Sequence, residues 1–211
     1  MKTVVIWGAA SGLGAAMVEY FYKQSFNIVG IVRTPSKCNC LTELGIKILT
    51  CDATNAAQVN QTVKKLPVDA WVISTMGTYG AANIPVDYIG HRNLIDALEY
   101  QNINRFLLVT SLGCGDSWQY LSKQSKQNFG SAVREKSLAE VWLKSSRLDY
   151  TILRPAGLKD GEITHRGELS QKIEVHGLIN RNEVTRLTHL LLNDRNSIGQ
   201  IYQCVDKTLT Y

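Results

Sequence analysis

The sequence of 211 residues predicts a doubly wound α/β fold, in which a parallel sheet is covered by helices on both faces. Short apolar runs recur along the chain, and stretches with helical periodicity separate them. The runs are apolar throughout and do not alternate with polar residues, which is typical of strands buried on both faces. A glycine-rich segment follows the first run directly. Together these features predict a single domain over residues 1–211.

The predicted strands are the apolar runs, which occupy residues 4–7, 28–32, 46–51, 70–74, 106–111 and 150–153, with a last strand at 200–206. In the first predicted helix, Leu13, Met17 and Phe21 recur on one face. Further helices are predicted over residues 55–65, 85–100 and 130–146. Strands that alternate with helices in this way indicate right-handed crossovers and therefore a parallel sheet.

The alternation ends at residues 155–178, which are rich in glycine and contain no long helical pattern. Ligands of doubly wound sheets bind beyond the carboxyl ends of the strands. We therefore expect this segment, part of the C-terminal region 155–211, to cover a substrate there. A late helix follows, in which Asn180 and Glu183 have the spacing of a capping box with asparagine as the N-cap.

The net charge of +5 suits an anionic ligand but does not by itself indicate nucleic-acid binding. Part of the basic excess is a cluster of four residues, which we interpret as a solvated helix face and not as a nucleic-acid patch: Lys123, Lys126, Arg134 and Lys136. The four histidines are scattered without the spacing of metal ligands, so no metal site is expected. The expected partner is a small-molecule substrate, and the chain is expected to be a monomer or a homodimer.

The five cysteines are odd in number and fit no disulfide framework. Cys38 and Cys40 form a lone C-x-C pair, without the second pair that a zinc site needs. We expect reduced thiols in a cytoplasmic protein. The N-terminal apolar run is too short for a signal peptide, and no stretch approaches the roughly eighteen apolar residues of a membrane span. No membrane association is expected.

The glycine-rich segment after the first strand predicts the phosphate-binding loop of a Rossmann fold. Gly8 allows a sharp turn, Gly12 allows close approach of a pyrophosphate, and Gly14 allows the helix to pack on the strand. The spacing G-x-x-x-G-x-G differs from the G-x-G-x-x-G fingerprint, and a turn without a ligand is the alternative. The candidate cofactor contacts in this loop are Gly8, Ala10, Ser11, Gly12, Leu13 and Gly14.

The residue after the second strand bears on which dinucleotide binds. NAD-binding Rossmann proteins usually place an acid there, whereas this chain has Arg33, whose guanidinium suits the 2′-phosphate of NADP(H). The alternative is a surface arginine. After the third strand, Asp52 either accepts a hydrogen bond from the adenine amino group or closes a turn, and Ala53 beside it is a further candidate contact.

These residues resemble the short-chain dehydrogenase/reductase superfamily over nearly the whole chain. The resemblance implies that the fourth-strand motif contacts the cofactor, through Ser74, Thr75, Met76 and Gly77. It also implies that Ser111 is the catalytic serine. The Tyr-x-x-x-Lys motif of the main-line enzymes is absent, because none of the nine tyrosines is followed by a lysine four residues later. Lys136 is the counterpart of the lysine, but position 132 is alanine.

The chain is most similar to the atypical branch of that superfamily, on the segments 135–140, 148–155 and 180–181. This branch includes biliverdin-IXβ/flavin reductase-like enzymes and nitrogen-metabolite-repression regulators. The resemblance implies that Pro155 lies near the nicotinamide. It further implies an NADP(H)-dependent oxidoreductase that transfers hydride to a carbonyl or conjugated acceptor such as a flavin, bilin or quinone. Because the tyrosine is missing, a non-catalytic NADP(H)-binding redox sensor is the alternative.

The candidate catalytic residues are Ser111 and Lys136. The Ser111 hydroxyl either binds a substrate carbonyl or caps the next turn. Lys136 lies on a small, apolar helical stripe, from which it either reaches the cofactor ribose or extends to water. In the loop after the fifth strand, we expect Cys114 to be a packed small side chain and Asp116 to be a turn residue.

Overall fold

The computed structural model describes residues 1–35, 45–78 and 85–209, and its centre is an eight-stranded, mostly parallel sheet. The strands are β1 (Thr3–Trp7), β2 (Asn27–Val32), β3 (Lys47–Thr50), β4 (Trp71–Ser74), β5 (Arg105–Val109), β6 (Asp149–Pro155), β7 (Gly157–Lys159), β8 (Glu168–Ser170), β9 (Leu178–Asn180) and β10 (Gln200–Val205). The α-helices are α1 (Gly12–Lys23), α2 (Ala56–Val63), α3 (Val86–Tyr100), α4 (Lys123–Lys144) and α5 (Arg181–Asn193). Short 3-10 helices occupy Gly115–Tyr120 and Arg195–Ser197.

The strand order is β3-β2-β1-β4-β5-β6-β10-β8, and among these described strands only the pairing of β8 with β10 is antiparallel. The chain moves outward from β1 on one side through β2 and β3, and on the other side through β4 to β6. The order therefore reverses beside β1, and the carboxyl ends of β1 and β4 lie at this switch point, which is the position where sheets of this kind bind ligands. The predicted doubly wound α/β fold is confirmed.

Helices cover both faces of the sheet, which explains why the strand sequences do not alternate. In β1, Val4 and Ile6 belong to the apolar core under α1 and α5, whereas Val5 and Trp7 belong to the core under α2, α3 and α4. All four side chains are buried. A parallel strand between two helical layers must therefore be apolar at every position.

The helix predicted over 130–146 begins seven residues earlier, at Lys123. Ser122 provides the start, because its hydroxyl oxygen accepts a hydrogen bond from the Ser125 N–H at 3.0 Å. Gly130 lies within this helix and packs closely on the Trp118 ring, since a Cβ there would lie 3.1 Å from it. The predicted strand over 106–111 is also shorter, since β5 ends at Val109.

The predicted capping box at the start of α5 is wrong. Asn180 is the N-cap residue, but its side chain donates to the Glu162 carbonyl at 3.0 Å instead of accepting from the helix. The Glu183 carboxylate accepts hydrogen bonds from the N–H groups of His165 and Gly167 at 3.1 and 2.9 Å. Both side chains thus bind the preceding segment, which they hold against α5.

The segment after β6 contributes strands of its own. β7 pairs with β9 in a small parallel sheet, and β8 extends the main sheet along β10. A hydrogen bond from the Thr164 hydroxyl to Asp206 at 2.6 Å adds a further attachment. Among the described residues, no helix is long and apolar enough to cross a membrane, and no group of His, Cys, Asp and Glu side chains has a metal-binding arrangement.

Candidate functional site

The glycine loop between β1 and α1 is folded tightly against the end of β4. Gly8 has a φ of +86°, and a Cβ there would lie 2.9 Å from the Thr75 hydroxyl oxygen. A Cβ on Gly14 would overlap the Gly8 carbonyl oxygen. Thr75 completes the arrangement, because its N–H donates to the Trp7 carbonyl at 3.0 Å. Glycine is therefore required at both positions to bring the start of α1 against the strand.

The N-terminus of α1 is open to an anion. Its N-cap residue, Ser11, makes no side-chain hydrogen bond to the helix, and the first turn contains no acidic residue. Ser11 and Gly12 are both exposed, and Gly12 has a φ of +55°. The first N–H groups of the helix and the positive end of its dipole are thus available to a phosphate.

The residues predicted for the adenosine end lie beside β2 and β3. Arg33 directly follows β2 and is exposed. Asp52 closes a turn, because one of its carboxylate oxygens accepts from the Thr54 N–H and hydroxyl at 3.0 and 2.8 Å. Ala53 is buried against α3, with its Cβ 3.2 Å from the position a Gly90 Cβ would occupy.

A buried polar cluster lies under the loop that follows β4. The Lys136 ammonium is 2.7 Å from a carboxylate oxygen of Asp87 and donates to the Met76 carbonyl at 3.1 Å. Asp87 is fully buried, whereas 15% of the Lys136 side chain is exposed. Gly77 lies directly over the ion pair, since a Cβ there would come within 3.1 Å of the Lys136 nitrogen. Lys136 therefore reaches inward along the helix and does not extend to water.

His91 and Ser74 continue this cluster into the core. The His91 Nδ1 lies 2.6 Å from the Asp87 backbone carbonyl, which can only accept, so Nδ1 carries the proton. Nε2 then accepts from the Ser74 hydroxyl at 2.9 Å. Burial, with a smaller contribution from Lys136, lowers the pKa of His91 to about 4. The imidazole is therefore neutral at pH 7, and the Ser74 side chain faces this cluster instead of the glycine loop.

The charge of Asp87 is stabilised by its neighbours. Burial alone would raise the pKa of this carboxyl group, but Lys136 and the hydrogen bonds from Thr78 together lower it. An ammonium group has three donors. Within the described parts of the chain, Asp87 and the Met76 carbonyl take two of the Lys136 donors, so one N–H remains for a ligand at the edge of the sheet.

Ser111 lies two residues beyond β5, in a loop that is tied to the end of β6. Its hydroxyl donates to the Leu112 carbonyl at 3.0 Å. The Leu112 N–H in turn donates to the Pro155 carbonyl at 3.0 Å. Ser111 and Pro155 thus lie near the ends of neighbouring strands, and Ser111 is half-buried at the carboxyl edge of the sheet.

A second buried cluster holds the loop after Ser111. The Arg154 guanidinium binds both carboxylate oxygens of Glu140, at 3.0 and 2.6 Å, and contacts Asp116 at 2.5 Å. The Thr110 hydroxyl donates to Glu140 at 2.6 Å. Burial alone would lower the pKa of Arg154, but the two carboxylates raise it. Asp116 is therefore an ion-pair partner of Arg154, and the prediction of a simple turn residue is incomplete.

Three residues near the site were not predicted as site residues from the sequence: Asp87, His91 and Arg181. Asp87 lies in the first turn of α3, where an acid is also expected for the helix dipole alone. His91 follows four residues later, and this spacing indicates that Asp87 and His91 lie on the same face of α3. Arg181 opens α5, and its Nε lies 3.8 Å from the position that a Gly12 Cβ would occupy.

A tightly folded glycine loop, followed by an uncapped helix at the switch point of a doubly wound sheet, defines a Rossmann-type dinucleotide-binding protein. Comparison with known families agrees. The chain belongs to the NAD(P)H-binding family whose model matches residues 8–195. This match confirms the resemblance to NAD(P)-binding Rossmann proteins noted from the sequence. Solved structures described as a short-chain dehydrogenase/reductase and as putative epimerases share the fold at 19–24% identity.

The chain is similar over its whole length to ChuY, described as an anaerobilin reductase, from Escherichia coli O157:H7. The two share 40% identity with a TM-score of 0.91, and the match covers 100% of both chains. ChuY from E. coli strain CFT073 gives 39% identity and a TM-score of 0.89, again over 100% of both chains. Among curated proteins, the chain is 30% identical to UPF0659 protein YMR090W of Saccharomyces cerevisiae, over 87% of this chain and 83% of that protein.

Proposed function

We propose that this protein is an NADPH-dependent reductase, which transfers hydride to a conjugated or carbonyl-containing small molecule of the flavin, bilin or quinone type. The observation that carries the proposal is the full-length similarity to ChuY at 40% identity. The site supports it, because the glycine loop, Lys136 and Ser111 all lie at the carboxyl edge of the sheet, where this fold places its chemistry.

The residues fit a dinucleotide. Its diphosphate would lie at Gly12 and the N-terminus of α1, where the Gly8 and Gly14 contacts leave no room for side chains. Arg33 would bind the 2′-phosphate and so favour NADP(H). The loop after β4, from Thr75 to Gly77, and Pro155 would border the nicotinamide half. When bound, the cofactor supplies the hydride.

Lys136 is the residue that we assign to the cofactor ribose. Asp87 and the Met76 carbonyl hold its ammonium under the loop after β4, and its third donor would bind the ribose hydroxyls. Ser111 orients the acceptor through its hydroxyl. Reduction requires one proton besides the hydride, and in the absence of the usual tyrosine, solvent at Ser111 supplies it. Much of the rate enhancement then comes from holding donor and acceptor in register.

Two measurements test this proposal. The first is the affinity for NADPH, NADP⁺, NADH and NAD⁺, compared between the wild type and Arg33→Ala. We expect NADPH to bind more tightly than NADH, and the substitution to remove most of this difference. An unchanged preference in Arg33→Ala would contradict the assignment of the 2′-phosphate site.

The second measurement is NADPH oxidation with flavins, bilins, quinones and aldehydes, in wild type and Lys136→Met. We expect turnover with a planar acceptor and about a hundredfold lower kcat/KM in the variant, within the range of a positioned polar group. Tight NADPH binding without turnover of any acceptor class would instead favour the redox sensor. That alternative also requires a clear affinity difference between NADPH and NADP⁺.

A further inference from the structure

Arg181 lies beside the glycine loop although it is far from it in the sequence. The pairing of β7 with β9 places Asn180 opposite Lys159, and the next residue, Arg181, therefore comes next to Asp160. From there the side chain extends to the loop, where Nε is 3.8 Å from the position of a Gly12 Cβ.

The hydrogen bonding of this guanidinium is incomplete. Nη1 contacts the Asp160 carboxylate at 2.6 Å, but that side chain is 93% exposed. Ion pairs with so exposed a carboxylate contribute little to stability, because water screens them. Nε is buried and makes no hydrogen bond within the described parts of the chain. A buried donor without an acceptor is unfavourable, and an anion at Gly12 would provide one.

We propose that Arg181 binds the diphosphate of the dinucleotide at Gly12, with Nε as the donor, while Nη1 keeps its contact with Asp160. The proposal rests on NAD(P)H binding at the glycine loop and adds a cationic contact that the loop itself lacks, since the first turn of α1 has no basic side chain. It also makes Arg181 the link between the cofactor and the segment after β7.

The competing explanation is that Arg181 only tethers Asp160. The two explanations make different predictions for Arg181→Gln and Asp160→Asn. The ion pair between Arg181 and Asp160 is lost in both variants, so both would bind NADPH with the same affinity if this ion pair were the role of Arg181. A diphosphate contact is lost only in Arg181→Gln.

The experiment measures the dissociation constants of NADPH and of adenosine 2′-monophosphate, a fragment that has the 2′-phosphate but no diphosphate. Calorimetry serves for NADPH, and ligand-detected NMR serves for the weaker fragment. We expect Arg181→Gln to weaken NADPH binding about tenfold or more, as for a charge-assisted hydrogen bond, and to leave the fragment affinity within about twofold. Asp160→Asn should change NADPH binding by no more than about threefold.

Arg195→Gln is the matched control, because it removes the same charge from an exposed position in the 3-10 helix after α5. It should leave both affinities unchanged. Arg181→Lys keeps the charge but loses the planar donor group, and we expect an intermediate NADPH affinity. Thermal melting of each variant shows whether it is folded.

Equal losses in Arg181→Gln and Asp160→Asn would overturn the proposal in favour of the tether. Equal weakening of NADPH and of the fragment in Arg181→Gln would also overturn it, because the effect would not depend on the diphosphate. If the wild type binds no dinucleotide, the proposed function fails as well. If the wild type binds NADPH and Arg181→Gln binds it equally, only the role of Arg181 fails.

Discussion

The protein buries two charged clusters at the same edge of its sheet, and they differ in how completely their charges are paired. In the Arg154 cluster, the guanidinium forms a bidentate contact with Glu140, and both side chains are nearly inaccessible. In the Lys136 cluster, the ammonium contacts one carboxylate oxygen of Asp87 and donates to the Met76 carbonyl, so one of its three donors has no acceptor among the described residues. The first cluster is complete without a ligand, whereas the second is not.

This difference assigns different roles to two clusters that look alike by composition. A fully paired buried arginine fixes a loop, here the one between Ser111 and the 3-10 helix at Gly115–Tyr120. A partly exposed lysine held by a buried carboxylate is oriented and retains binding capacity. We therefore expect disruption of the Arg154 cluster to affect stability first, and disruption of the Lys136 cluster to affect turnover first.

The largest expected effect is on stability, from Arg154→Met. The substitution leaves the Glu140 carboxylate buried without its partner, which typically costs about 3–5 kcal/mol. Urea unfolding at pH 7 measures the loss. Lys144→Met is the control, because Lys144 is exposed at the end of α4, the helix that contains Glu140. The double variant Arg154→Met/Glu140→Leu should recover part of the loss, since no buried charge remains. A loss below about 1 kcal/mol in Arg154→Met would contradict the assignment of the Arg154 cluster to stability.

The next effect is a pH dependence from His91. Its pKa is about 4 in the folded protein and 6.5 in the unfolded chain, so the unfolded state binds the proton first as the pH falls. The stability from the neutral imidazole is fully present above pH 6.5 and is lost towards pH 4, by about 3 kcal/mol. Urea unfolding across this range should show a shallower loss in His91→Gln. The exposed-site variant His176→Gln should keep the wild-type slope, and an equal slope in all three proteins would refute the assignment.

A smaller effect concerns turnover and tests the Lys136 cluster. Asp87→Asn keeps the size of the side chain but removes the charge that holds the ammonium in place. We expect kcat/KM for NADPH oxidation to fall about tenfold, less than in Lys136→Met, because Asp87 acts through the lysine. Asp96→Asn, on the exposed side of the same helix, is the control. If Asp87→Asn lowers stability but leaves kcat/KM unchanged, the cluster has no part in turnover.

The smallest effect is expected at Cys114, which is fully buried beside both clusters. Burial, followed by the charge of Glu140, raises the pKa of this thiol to about 12, so it stays protonated and unreactive. Cys114→Ala should lower the free energy of unfolding by about 1 kcal/mol through a small cavity. NADPH oxidation should not change, and a clear loss of turnover would indicate that the thiol faces the substrate.

The strand and helix pattern was predictable because it depends on residues close together in the sequence. The parallel strands of the main sheet each lie within two residues of a predicted run, whereas β7, β8 and β9 fall in a segment for which no strand was predicted. The glycine loop was predictable for the same reason, since Gly8 and Gly14 contact each other across a few residues. Cys38 and Cys40, where the sequence predicts free thiols, lie outside the described residues.

Side-chain partners were much less predictable. Glu183 has the spacing of a capping residue, yet it binds the N–H groups of His165 and Gly167, and the local rule fails because a tertiary partner is available. Asp116 similarly pairs with Arg154, 38 residues away in the sequence. No local pattern identifies either partner.

The amino-acid sequence by itself determined the layers of this protein and the position of its phosphate loop, because hydrophobic periodicity and the steric needs of glycine act over short stretches of chain. Only the tertiary structure decided that Lys136 meets Asp87, that Arg154 meets Glu140 and Asp116, and that Arg181 reaches Gly12. These contacts depend on burial and on side-chain direction, and both arise only when distant elements pack together and exclude water between the charges.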